Sequence, residues 1–100
     1  MSVIVAGTVR VPPENLAVFR EHMVAMIEGS RAESGCLIYS YAEDVLEPGL
    51  IRIFEIWRDQ IDLDTHGLST HMGQWRAAWP QFGVTERHLS VFDVTDQRPL

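Results

Sequence analysis

A single cysteine, Cys36, leaves the 100-residue chain without an internal disulfide. Positive charge is also scarce: eight Lys+Arg stand against fourteen Asp+Glu, the formal net charge is -6, and the basic residues nowhere form a run. That balance excludes the basic surface a nucleic acid would need. No uninterrupted apolar segment approaches the roughly 20 residues of a membrane-spanning helix. No charged start followed by an apolar stretch marks a signal peptide, so the cytoplasm is the expected compartment. With 46% hydrophobic and 22% charged residues, the composition is that of a folded globular chain and not of a disordered one. Residues 1–100 are expected to form one domain, with a polar tail over about residues 95–100.

Periodicity divides the chain into six segments. SVIVAGTVRV is rich in β-branched residues and stops at Pro12-Pro13, which predicts a strand over residues 2–10. Leu16, Phe19, Met23, Met26 and Ile27 then recur at helical intervals, predicting a helix over 13–29 that ends at Gly29. CLIYSYAED (36–44) and LIRIFEIW (50–57) flank a Pro48-Gly49 turn and predict an antiparallel hairpin. A short helix from near Asp59, a break at Gly67, an N-cap at Ser69 and a second helix stopped by Pro80 come next. VTERHLSVFDV supplies a last strand.

The order β-α-β-β-α-β, with its second helical segment split, is the α+β ferredoxin-like pattern of one antiparallel sheet with the helices on one face. Strands one and three are apolar on both faces. Ile51, Ile53 and Trp57 oppose Leu50, Phe54 and Ile56, so the face away from the helices needs cover of its own. A second copy of the chain would provide it, which predicts a homodimer packed through its sheets.

Candidate chemistry centres on DTHGLSTHMGQW (64–75). On a continuous helix, the five-residue spacing of His66 and His71 turns their rings about 140° apart, too far to share one ion. With no cysteine nearby, no metal site is expected. The break instead puts His66 at a helix C-terminus, which favours the imidazolium and suits a cation or hydrogen-bond donor, and His71 in a first turn, which favours the neutral base. His71 sits at the edge of a Met72, Trp75, Trp79 stripe and His22 flanks the Phe19, Met23, Met26 stripe; either is a pocket-rim residue or an ordinary boundary one. Tyr39 and Tyr41 share a strand face and either bind a ligand or pack with wet tips. Glu55, between Ile53 and Trp57, must find a partner or shift its pKa, and an arginine partner, Arg52 or one from a second subunit, is expected.

With these elements in this order, the chain resembles the antibiotic biosynthesis monooxygenase (ABM) family of small dimeric α+β barrel proteins. The likeness rests on SGCLIYSYAED after the first helix, on FEIWRD (54–59) and on the paired-histidine segment HGLSTH (66–71). It implies a homodimer with a pocket between sheet and helices, and oxidation of quinols or polycyclic phenols by O2 without metal, flavin or haem. His71, His66 or His22 would be the catalytic base that deprotonates the phenol; Tyr39, Trp57, Trp75 and Phe82 would bind the aromatic substrate. SVIVAGTVRV lacks the asparagine that haem-degrading relatives carry in this strand, which disfavours haem chemistry. A non-redox isomerase or lyase, and a ligand-binding dimer without catalysis, are the alternatives.

Overall fold

In the computed structural model, which describes residues 1–100, four strands and three helices follow the expected order: β1 (Val3–Arg10), α1 (Leu16–Arg31), β2 (Cys36–Glu43), β3 (Leu50–Trp57), α2 (Gln60–Gly67), α3 (Thr70–Phe82) and β4 (Thr85–Asp93). All neighbouring strands run antiparallel, in the sheet order β2-β3-β1-β4. This is the α+β ferredoxin-like arrangement. No helix is long and apolar enough to cross a membrane.

One sheet face carries the core. Val3, Val5, Val9, Tyr39, Ile51, Ile53 and Trp57 are buried there against Phe19, Met23 and Met26 of α1 and Met72, Trp75 and Phe82 of α3. The opposite face is apolar yet open. Ile4 pairs with Ile56 and Phe92, and Ala6 with Phe54; Ile38, Phe54 and Phe92 are all exposed.

Two expected helix ends lie elsewhere, each for a steric or hydrogen-bonding reason. Gly29 does not terminate α1, which continues to Arg31. A Cβ at Gly29 would lie 3.0 Å from Cγ of His71, so the missing side chain is a close-approach surface for the imidazole. Pro80 does not stop α3 either. It falls in the last turn, where its missing N–H costs one helical bond, and the helix runs to Phe82 before Gly83 closes it in the left-handed region (φ 70°).

The break between α2 and α3 falls where expected, with Gly67 the last residue of α2, although a Cβ there would meet nothing within 4 Å and the glycine is not sterically required. The chain turns at Leu68-Ser69. Ser69 is extended (φ -68°, ψ 155°) and caps α3; its hydroxyl accepts from the Met72 N–H at 3.4 Å and donates to the His66 carbonyl at 2.6 Å. One hydroxyl thus ties the end of α2 to the start of α3. Ser69→Ala is expected to cost about 1–2 kcal/mol in urea unfolding, whereas Gly67→Ala is expected to be neutral or stabilising by up to about 1 kcal/mol.

Candidate functional site

Between the sheet and α2/α3 lies a cavity of about 330 Å³, at the small end of the roughly 300–1,000 Å³ typical of small-molecule sites. Val5, Ile53, Leu63, Trp75, Trp79 and Val91 give it apolar walls, and His66, Glu55, Tyr41, Arg76 and Arg87 are its polar groups. Arg87 reaches it because the β1–β4 ladder sets Leu89 opposite Gly7 and Val91 opposite Val5, on the helix side of the sheet. Its guanidinium lies 5.7 Å from the centre of a Trp79 ring.

His66 is almost fully buried, only 3% exposed. Its ring packs 4.4 Å from the Trp57 ring and 5.3 Å from Tyr39, centroid to centroid. Its Nδ1 lies 2.6 Å from Glu33 Oε2, while Nε2 has the Tyr39 hydroxyl at 3.5 Å. Burial holds the His66 pKa below the ordinary histidine value, against the opposing hydrogen bond and charge of Glu33. Of the two roles expected for His66 at a helix end, cation or hydrogen-bond donor, burial disfavours the first and the Glu33 contact fits the second. A helix C-terminus contributes roughly 0.3–1 kcal/mol in exposed settings, and desolvation outweighs it. In the neutral ring the Glu33 carboxylate selects the Nδ1–H tautomer, which leaves the Nε2 lone pair available. Burial also raises the Tyr39 hydroxyl pKa far above the ordinary tyrosine value, so this group stays protonated.

His71 lies on the other side of α3. It lines, together with His22 and Met26, a separate depression of about 90 Å³, with Trp75 as the wall common to both spaces. His71 Nε2 is nonetheless 2.9 Å from the same Glu33 Oε2 that holds His66, and 3.2 Å from Ser69 Oγ. The expectation that the two imidazoles diverge, argued from helical spacing and from the break, fails because of how the chain turns between the helices. The Leu68-Ser69 turn folds both rings onto Glu33, bringing one ligand-type atom from each of the three residues within 4.8 Å of one another.

Among the expected substrate-binding residues, Trp75 lines the cavity. Tyr39 and Trp57 form the buried layer around His66. Phe82 sits in the core against Phe19 and His22, away from the cavity. Tyr41, stacked on Tyr39 at 5.5 Å, does line it, and burial pushes its hydroxyl up to about 12.

Glu55 does not pair with Arg52, which points to the other sheet face and binds Asp44 at 2.9 Å. Glu55 instead accepts the indole N–H of Trp57 at 2.9 Å, is 4% exposed, and is pushed up to about 7 by burial, against the lowering influence of Trp57 and Arg87. A carboxyl that changes charge near neutrality therefore shares the cavity with an uncharged imidazole. Glu33 and Arg87 are marked by no local pattern in the sequence; their roles arise from contacts between distant segments.

The fold is thus a ferredoxin-like α+β domain with an aromatic-walled cavity between its sheet and helices. The sequence pattern of the antibiotic biosynthesis monooxygenase family matches residues 2–78, and the chain belongs to that family. Rv0793 of Mycobacterium tuberculosis, a candidate monooxygenase by name, is 37% identical over 65 residues, covering 65% of this chain and 63% of its own length. The protein sll1783 of Synechocystis is 28% identical over 98 residues, 98% of this chain and 67% of its own. Among solved structures, a candidate antibiotic biosynthesis monooxygenase from Deinococcus radiodurans superposes with a TM-score of 0.89 at 25% identity, covering 100% of this chain and 98% of that one. The Rv0793 structure gives 0.84 at 29%, covering 99% and 100%.

The Glu55 pKa sets a stability test. The unfolded carboxyl releases its proton near 4.5 and the folded one near 7, so the native state binds more protons in between. Stability contributed by this group is present below about pH 4.5 and falls by up to about 3 kcal/mol as the pH rises through 7. Glu55→Gln is expected to flatten that decline, read as unfolding free energies from urea titrations at pH 5 and pH 8.

Proposed function

We propose that this chain is a monooxygenase that oxidises a quinol-like or phenolic small molecule with O2, using its own side chains and no bound metal, flavin or haem. The observation that carries the reading is His66: a buried, uncharged imidazole at a tryptophan-walled cavity, held by Glu33 at one nitrogen and with only the long 3.5 Å contact of the Tyr39 hydroxyl at the other. His66, not His71 or His22, is the catalytic base of this proposal.

An electron-rich phenol gives its hydroxyl proton to Nε2, and the phenolate formed passes one electron to O2. The resulting radical and superoxide combine into a C–O bond at a ring carbon that bears hydrogen. Loss of that carbon's hydrogen together with hydroxide from the peroxide leaves a carbonyl. For a naphthol the balance is one naphthol plus one O2 to one naphthoquinone plus one water. Trp75, Trp79 and Tyr41 flank the flat ring, while Arg87 offers a cation to the phenolate and the peroxide. Protonated Glu55 can supply the proton that leaves with the peroxide oxygen.

The open apolar sheet face of Ile38, Phe54 and Phe92 supports a homodimer packed through its sheets. Light scattering at micromolar concentration is expected to give twice the mass of the chain; a monomer would exclude that packing.

One observation favours a second reading. Glu55, titrating near 7 in the same cavity as His66, suits a proton-shuttling isomerase acting on a polar metabolite. An oxygen electrode with a panel of naphthols and naphthoquinols separates the two. The oxygenase reading expects one O2 consumed per substrate, no turnover under argon, and a loss of roughly 10²- to 10⁴-fold in kcat/KM for His66→Ala. Equal consumption of substrate under argon would favour the isomerase, and full turnover by His66→Ala would remove His66 as the base.

A further inference from the structure

Glu33 receives two imidazoles on one carboxylate oxygen, and the three side chains come from the α1–β2 connection, the end of α2 and the start of α3. We propose that this cluster is a binding site for zinc and that zinc held there disables His66 as a base. The second half rests on the catalytic role given to His66 above; the first does not.

The donor set is the chemistry zinc takes: two imidazole nitrogens and one carboxylate oxygen, with a fourth position left to water. Ligand atoms about 2.0–2.2 Å from a tetrahedral ion stand roughly 3.3 Å from one another. The present separations, 2.6 Å from Glu33 Oε2 to His66 Nδ1 and 2.9 Å to His71 Nε2, are those of hydrogen bonds. Those two separations need to lengthen by less than 1 Å, while the His66 and His71 nitrogens, now within 4.8 Å of each other, need to settle at the same spacing. The partly exposed Glu33 and His71 side chains, at 18% and 26%, provide the route in from solvent. The basic side chains within reach of Glu33 are these two imidazoles, so no arginine competes with the metal for it. Ser69 Oγ, 3.2 Å from His71 Nε2, is placed to accept a hydrogen bond from a metal-bound water.

The tautomers couple the site to the cavity. Coordination through Nδ1 requires that the His66 proton move to Nε2, and coordination through Nε2 requires that the His71 proton move to Nδ1. No net proton is released from two neutral rings, and nothing is oxidised or reduced. His66 Nε2, the atom that accepts the substrate's proton, would then carry a hydrogen directed towards Tyr39. The zinc form would keep the cavity and lose the base.

Calorimetric titration of the purified chain with zinc chloride tests the site. One zinc per chain is expected. His71→Asn and Glu33→Gln should each weaken binding by about tenfold or more, with circular dichroism checking the fold of both variants, while Cys36→Ser and His22→Ala leave it unchanged. His71→Asn removes a partly exposed ligand and keeps the test decisive if Glu33→Gln fails to fold. Absence of binding by the unaltered chain, or binding that survives His71→Asn and disappears in Cys36→Ser, would overturn the proposal. The coupling is read without turnover, as movement of the His66 proton from Nδ1 to Nε2 in long-range ¹⁵N NMR spectra when zinc is added. Binding of zinc with the His66 proton still on Nδ1 would retain the site and overturn the coupling. Neither readout depends on whether the chain proves to be an oxygenase.

Discussion

One carboxylate oxygen organises the site. Glu33 Oε2 receives the ring nitrogens of His66 and His71 at 2.6 and 2.9 Å, and so ties the loop after α1 to both sides of the α2–α3 turn. A carboxylate left there without partners would be costly to desolvate, and so would the ring nitrogen of a histidine only 3% exposed. Each group satisfies the other. The chemical consequence is a choice of tautomer: the shared oxygen favours the His66 proton on Nδ1 and leaves the second nitrogen a bare acceptor beside the Tyr39 hydroxyl in an aromatic setting.

The surrounding packing serves that arrangement at particular atoms. Gly29 lacks the Cβ that would crowd His71, Ser69 ends one helix and caps the next with a single hydroxyl, and Trp57 both lies against the His66 ring and donates to Glu55. The sheet contributes the second titrating group. Glu55 comes from the centre of β3, where burial holds a proton on it up to about neutral pH. The two groups thus start from complementary states: an imidazole able to take a proton and a carboxyl able to give one.

The strands, the helices and their order were legible from the sequence because each rests on local pattern: alternation in LIRIFEIW, helical spacing from Leu16 to Ile27, and turn chemistry at Pro48-Gly49. The bare apolar sheet face was legible for the same reason. Residues taken for stop signals were less informative. Gly29 and Pro80 lie within helices and Gly67 ends α2 without forcing the turn, because a neighbour's approach, a last-turn position and the Ser69 cap decide those places. The site was legible only in part. His66 and Trp75 stood out by residue type, and the break between the two histidines was legible too, but not its direction: the Leu68-Ser69 turn brings the rings together where spacing and a break suggested separation. Glu33, 33 residues from His66 and 38 from His71, becomes visible only once the chain is folded.

The central claim is that Glu33 holds a buried, neutral His66 with its proton on Nδ1. Long-range ¹H–¹⁵N NMR of the metal-free protein near pH 7 reads that proton directly, because protonated and bare imidazole nitrogens differ widely in ¹⁵N shift. The account predicts a protonated Nδ1 and a bare Nε2 for His66, with the order lost or reversed in Glu33→Gln. A His66 ring protonated on both nitrogens at that pH, or one carrying its proton on Nε2, would contradict it.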